Sequence, residues 1–392
     1  VTNLELFYDL VFVFAITQVS HLLLEDLTWG QVGRATVVLL AVWWSWNYTT
    51  WVTNELDPEA IVVRLVIVVL MLASLLMAVA IPEAFGERAL LFAGSYVFIQ
   101  VGRHAFLAFG AGRKGTIERS RAIPILVWFI AAGAFWIAGA LADGEARTVL
   151  WVIALLIDYG APAVTYWLPV RTHIGTDAWN VGTSHFAERF QLFVIIALGE
   201  SIVLTGETAS HLDLDAARVG AFAIAFLGTA AFWWLYFNYV ATIAERRLEL
   251  AANRTIVARD AYTYLHVVMI AGVVMSAVGD ELVIAHPTEV LPDAEVLAVV
   301  AGPLIYLVSH VLFRWRIAGT FGVRRALGAV GCAAAIPLGM HVSALILSAA
   351  LLAILIAVIG SEQLMGHRRN LRGEPTPMDV LEQQHGASAP AS

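Results

Sequence analysis

The sequence predicts an all-α polytopic membrane protein of about twelve transmembrane helices, arranged as two parallel six-helix repeats. Three observations carry this: an apolar composition, the spacing of apolar runs, and a correspondence between the two halves. Of 392 residues, 60% are hydrophobic and 14% charged, with a mean hydropathy of +0.78, whereas soluble domains carry about 25% charged residues. At about 20 apolar residues per crossing, that composition fills about eleven or twelve spans.

The runs fall at 4–25, 35–55, 61–81, 89–110, 121–142, 147–170, 185–206, 217–243, 259–280, 295–315, 323–341 and 343–361. Each is close to the length a crossing helix needs. Breakers separate them: Asp57-Pro58, Ile81-Pro82, Asp143-Gly144, His286-Pro287, and Gly319 with Gly322. Only the last two runs are poorly separated. The first run carries Asp9 and has no basic leader, so it is not a secretory signal.

Nineteen of the 23 Lys and Arg residues fall on one alternate side of these spans, and only Arg34, Arg88, Arg147 and Arg218 on the other. By the positive-inside rule both termini are cytoplasmic. The sequence after Glu362 is rich in polar residues, Pro, Gly and Ser and reads as a disordered cytoplasmic tail, 362–392.

The halves correspond in order. Glu5, Phe7, Leu10, Ala15 and Gln18 can be laid on Glu188, Phe190, Leu192, Ala197 and Glu200 with one gap. Trp43-Trp44 with Asn47-Tyr48 matches Trp233-Trp234 with Asn238-Tyr239. Arg64 matches Arg259, Gly94 and His104 match Gly302 and His310, and Arg121 matches Arg325. The reading is a first repeat over 1–170 and a second over 185–361. Six is even, so both halves enter the membrane from the same side, as in transporters built from parallel repeats.

A net charge of −8 and the absence of a basic stripe with interleaved aromatics argue against a nucleic-acid partner. The single cysteine, Cys332, excludes an intrachain disulfide, a CxxC pair and a cysteine zinc site. No cofactor motif is present.

Three blocks, Thr2–Ser20 (TNLELFYDLVFVFAITQVS), His185–Val203 (HFAERFQLFVIIALGESIV) and Arg259–Glu281 (RDAYTYLHVVMIAGVVMSAVGDE), resemble the bacterial low temperature requirement A family. The resemblance covers about residues 2–360 and implies a multi-pass protein of the bacterial inner membrane. The family's name records a cold-growth phenotype rather than a reaction. It also implies a short polar leader before the first block, not included here, and a glycine where Gln191 stands.

Candidate functional residues are those whose polarity is costly at their depth. Thr2-Asn3-Leu4-Glu5 reads as a capping box, which accounts for Glu5. Asp9 lies one turn deeper on the same face, level with Arg64, Arg103, Arg189 and Arg259, so a charge latch to one of these arginines is expected, with a gating or proton role as the alternative. Glu188 and Asp260 belong to the same charged layer. His185 and Glu188 are three apart, but with no further ligand pair they read as a helix start rather than a metal site.

His266 shares a face with Tyr262 and Arg259 and needs a partner, either a structural hydrogen bond or a proton relay. Asp280 and Glu281 are placed at the outer surface. Asp158 lies about 16 Å in from Arg147, near the midplane, and Glu200 about 22 Å in from His185. Trp44 with Asn47, and their counterparts Trp234 with Asn238, also fall near mid-membrane, where they read as packing core or as a cavity lining for a cation. Tyr96, Gln100, Thr165 and Tyr166 add polar edges. Glu200 faces the uncharged Gln18 in the repeat alignment, which marks it as the first candidate coupling site, with Ser201 and Thr205 supplying oxygens.

These readings favour a secondary transporter of a small solute, coupled to protons or a cation. An ion channel or a non-transporting sensory or scaffold protein are the alternatives. No nucleophile or metal constellation argues for an enzyme. The expected partners are the lipid bilayer and a small solute or ion.

Overall fold

A computed structural model describes residues 1–56, 60–111, 117–168, 182–238 and 240–388. Asp57-Pro58, Arg113, Lys114, Arg171 and Tyr239 lie outside them. Among the described residues the regular structure is helical, with no strand. The chain divides into two compact units, Val1–Arg189 and Phe190–Ser392, and the division falls inside one long helix.

The first unit contains α1 (Asn3–Leu24), α2 (Trp29–Thr53), α3 (Ile61–Ala80), α4 (Ala89–Ala105, continued by a π turn Phe106–Ala111), α5 (Ile117–Leu141), α6 (Gly144–Gly160) and the opening turns of α7 (Thr183–Ser210). Local chemistry sets several of the helix starts. Thr2 and Glu5 form a reciprocal capping box at α1, and Thr28 accepts from the Gln31 amide at α2. Packing is sequential along α3, α4, α5 and α6, and α1 lies against α2 and α3.

The second unit contains the rest of α7, then α8 (Ala216–Phe237), α9 (Val240–Leu250), α10 (Arg254–Val257), a π-helical stretch Ala258–Leu265, α11 (His266–Ala285), α12 (Asp293–Ala318), α13 (Val323–Ala334), α14 (Ile336–Gly339), α15 (Ala344–Leu371) and α16 (Pro377–Ser388). Gly319, at φ +62°, closes α12 in the left-handed conformation that glycine adopts without strain. In this unit α11 and α12 pack at close range. A Cβ at Gly302 would stand 2.5 Å from the Ser276 Cα, and one at Gly279 would stand 2.8 Å from the Val299 Cα. Glycine lets these two backbones touch, the usual device of helices that must pack inside lipid.

A helix occupies each of the twelve apolar runs. Among the described residues, nine helical segments are long and apolar enough to cross a membrane. α6 with 17 residues and α13 with 12 fall short in length, and α2 is diluted by Gln31, Arg34, Asn47 and its threonines. α3 shows what these helices meet: Ile61, Leu65 and Leu72 are exposed by 75%, 62% and 59%. Such an apolar face belongs against hydrocarbon rather than water.

The expected tail differs. α15 runs on to Leu371, and α16 follows where composition predicted disorder. A local cap accounts for the start of α16: Thr376 accepts from the Asp379 amide at 3.2 Å and donates its own amide to Asp379 Oδ2 at 2.8 Å, with Pro377 next in line.

Candidate functional site

The first unit holds a buried polar system built from α1, α2, α4, α5, α6 and the start of α7. At one end, α1 presents Glu5 and Asp9 one turn apart, and α7 presents His185 and Arg189 four residues apart, so each pair shares a helix face. Arg189 Nη1 lies 2.9 Å from Glu5 Oε1, and its Nη2 lies 2.6 Å from Asp9 Oδ1. Trp46 Nε1 donates to the same Asp9 oxygen at 2.7 Å. His185 Nε2 stands 3.1 Å from Glu5 Oε2, and its other ring nitrogen is 3.2 Å from the Asn54 amide. Glu5, Asp9 and Arg189 are all essentially inaccessible.

Of the four arginines placed at Asp9's level, Arg189 is the one that meets it. Arg64 lies on the exposed face of α3. Arg103 bonds elsewhere in the first unit. Arg259 belongs to the second unit, where its Nε donates to Asp260 at 2.7 Å and Asp260 also receives Arg316 at 2.7 Å. Glu188 Oε2 lies 3.1 Å from the Val1 nitrogen. Among the described residues no group of three His, Cys, Asp or Glu side chains could hold a metal ion.

The middle of the system is Arg103. Its Nη1 donates to Thr49 Oγ1 at 2.8 Å and to the Ser45 carbonyl at 3.2 Å, and its Nη2 donates to Gln100 Oε1. Tyr8 donates to the same Thr49 hydroxyl at 2.8 Å. The guanidinium also lies 5.6 Å from the Tyr48 ring and 6.0 Å from that of Phe129. Among the described residues no carboxylate pairs with Arg103. Hydroxyls, carbonyls and aromatic faces carry a charge that is 1% exposed.

The far end is Asp158 on α6. Tyr96 donates to its Oδ2 at 2.6 Å and Trp136 Nε1 to the same oxygen at 3.1 Å. Its Oδ1 is buried and, among the described residues, has no hydrogen-bond partner. The Trp136 ring packs at a tilt against Tyr96 and Trp151, with centroids 4.6 and 5.3 Å apart, so aromatic rings wall the carboxyl. Tyr96, Gln100 and Arg103 sit at i, i+4 and i+7 of α4, forming one polar stripe that leads from Asp158 to Thr49 and Tyr8.

The second unit carries a different constellation. Arg325 spans Glu362 at 2.9 Å and His310 Nδ1 at 2.7 Å. Arginine only donates, so His310 Nδ1 is an acceptor and the ring's proton resides on Nε2. His266 has the opposite tautomer: Nδ1 faces the Ala261 carbonyl at 3.2 Å and Nε2 accepts from Tyr236 at 2.9 Å. Tyr262 stacks on His266 with centroids 5.0 Å apart.

Glu200 is buried on α7 beside buried Ser201 and Thr205. Thr205 turns its hydroxyl back to the Ser201 and Ile202 carbonyls, which occupies its proton. Gln18 is half-buried on α1, and Asp280 and Glu281 are half-buried rather than fully solvated. Trp44 and Asn47 are sealed in the first unit, whereas Trp234 is 43% exposed and Asn238 is exposed. The repeat mates therefore differ in environment, with Trp44 and Asn47 buried and Trp234 and Asn238 accessible. α8 turns Phe232, Leu235 and Tyr236 inward instead.

Sequence reasoning missed Tyr8, Ser45, Thr49 and Trp136. The i, i+4, i+7 stripe on α4 was the available signal for that region.

Residues 1–360 match the bacterial low temperature requirement A protein family. The chain belongs to that family. An uncharacterized protein of Rhizobium meliloti (strain 1021) is 36% identical over 304 residues, covering 77% of this chain and 74% of its own length. No solved structure matches. The low temperature requirement A description names a growth requirement and no reaction, so the chemistry has to be argued from the site.

Proposed function

We propose that this low temperature requirement A protein is a secondary transporter, not an enzyme, that moves a small solute coupled to protons, with Asp158 as the proton-binding carboxyl. The observation that carries this reading is the contrast between Asp158 and Asp9. Asp9 is tied to Arg189, so protonating it would break a buried ion pair. Asp158 receives two neutral donors on one oxygen and leaves the other unbonded. It can gain or lose a proton without stranding a partner charge, which is what a coupling site near mid-membrane requires. Arg103, two turns along α4 from Tyr96, supplies a fixed positive charge about 10 Å away along the helix.

In this reading the chain crosses the bacterial inner membrane at each of its twelve apolar runs, the halves are parallel repeats, and both termini are cytoplasmic. A helix in every apolar run and the nineteen-to-four division of basic residues support it. Glu200 is the second candidate for coupling. Its oxygen shell is weakened by the back-bonded Thr205 hydroxyl.

The test uses proteoliposomes with an internal pH dye, challenged with a panel of small solutes. A solute-evoked pH change that Asp158→Asn abolishes and Glu200→Gln leaves intact supports the assignment. Full solute-driven proton movement in Asp158→Asn refutes it, and loss in Glu200→Gln alone transfers the role to Glu200. Ion conductance with no coupling to solute would mark a channel instead.

A further inference from the structure

Outside that polar system, the second unit carries a basic cavity of about 490 Å³ where the start of α13 meets the end of α15. Four guanidinium groups line it: Arg324 from α13, and Arg368, Arg369 and Arg372 from α15 and its C-cap. One carboxylate, Glu374, also lines it. Glu374 lies 3.6 Å from both Arg369 and Arg372 and so neutralises at most one of them. Among the described residues Arg324 and Arg368 have no carboxylate partner. Arg325, the neighbour of Arg324, is committed internally to Glu362 and His310. Arg324 and Arg368 therefore leave uncompensated positive charge at a concave site.

The rest of the wall is apolar. Leu364 and Met365 line the same cavity, and Leu364 is 60% exposed. Both lie on α15, which is long and apolar enough to cross the membrane. An occupant that satisfies the whole site carries phosphate at one end and hydrocarbon at the other. Guanidinium forks match phosphate oxygens two at a time, and basic pockets beside crossing helices suit anionic lipid headgroups. We propose that this cavity binds the headgroup of an anionic phospholipid, with the acyl chains lying along α15. The apolar wall favours the lipid over free phosphate.

The test is native mass spectrometry of the full chain in detergent, titrated with phosphatidylglycerol, phosphatidylcholine or water-soluble glycerophosphate. The expected result is a phosphatidylglycerol adduct preferred over phosphatidylcholine by about tenfold. Arg324→Gln/Arg368→Gln should remove that preference, and Arg254→Gln/Arg314→Gln, which deletes two arginines elsewhere in the second unit, should retain it. Arg368→Gln alone, at an exposed position, should give a partial loss if the double variant fails to fold. Equal retention of the two lipids, or equal loss in the two double variants, would show only diffuse basic attraction and overturn the site. Displacement of the lipid by glycerophosphate at similar concentration would make it a free-phosphate site and overturn the lipid assignment.

Discussion

Arg189 stands 2.6 Å from Asp9, both fully buried, and joins the first turns of α7 to α1 across 180 residues of sequence. Deleting one member of such a pair strands the other charge in a low-dielectric setting, a loss of about 3–5 kcal/mol. Asp9→Asn and Arg189→Gln should each lower the melting temperature in detergent markedly. The double variant should lose less than the sum of the two, because Asp9 no longer carries a charge when Arg189 is removed, and what remains is the loss of Arg189 from Glu5. Additive losses would show that the contact contributes nothing specific.

Asp158 should behave differently under the same substitution. Asparagine keeps an acceptor oxygen for Tyr96 and Trp136 and removes only the titratable charge, which has no ion-pair partner among the described residues. Asp158→Asn should therefore change stability by less than about 1.5 kcal/mol, the scale of one ordinary hydrogen bond. Tyr96→Phe/Trp136→Phe, which strips both donors from a buried carboxyl, should cost more. Thermal unfolding of the three proteins checks the order, and a collapse of Asp158→Asn comparable to Asp9→Asn would place Asp158 among the structural ion pairs.

Local features of this fold were legible in the sequence and long-range choices were not. The Thr2–Glu5 capping box follows from spacing alone, because both partners lie within one helical turn. That Asp9 needs a cation also followed from its depth. Which of four arginines would supply it depends on how helices neighbour one another, and nothing in the chain near Asp9 encodes the approach of Arg189.

The tryptophan pairs show the same limit. Trp43-Trp44 and Trp233-Trp234 are identical dipeptides at matching places. The first pair is enclosed by neighbouring helices, whereas the second lies on the exposed face of α8, because that helix buries Phe232 and Tyr236 instead. Helix rotation, set by distant packing, decided between them. Asp158 was recognisable as an isolated midplane acid, but its donors come from two other helices, α4 and α5.

The glycines of the α11–α12 interface give a third prediction. Gly94 and Gly302 are repeat mates in sequence, yet a Cβ at Gly94 meets nothing within 4 Å and one at Gly302 would meet the Ser276 backbone at 2.5 Å. Gly302→Ala should force the helices apart at a cost of about 1–3 kcal/mol, since backbone cannot move aside like a side chain. Gly94→Ala should be neutral or stabilising by up to about 1 kcal/mol, from helix propensity. Similar melting temperatures for the two variants would mean that α11 and α12 do not approach so closely.

The helix after α15 has a pH-dependent cap. Asp379 is fully exposed, and its carboxyl is held below the ordinary aspartate range by hydrogen bonds from the Thr376 side chain and backbone. A carboxyl depressed in the folded state contributes stability above its unfolded pKa and loses that contribution as pH falls through the lowered folded value. The first turn of α16 should therefore be fully capped at neutral pH and fray as the solution is acidified below the usual carboxylate range. Asp379→Asn should have lost the acid-dependent part of this response already at neutral pH, and Thr376→Ala should fray the turn at every pH, since it removes the Oγ1 that accepts from the Asp379 amide and leaves only the backbone half of the box. Hydrogen exchange at the amides of Asp379 and Val380 reads the effect. Exchange at those amides that is as fast as in an unfolded peptide at neutral pH, and unaltered by either substitution, would show that the cap does not hold and would return the segment to the disorder its composition predicts.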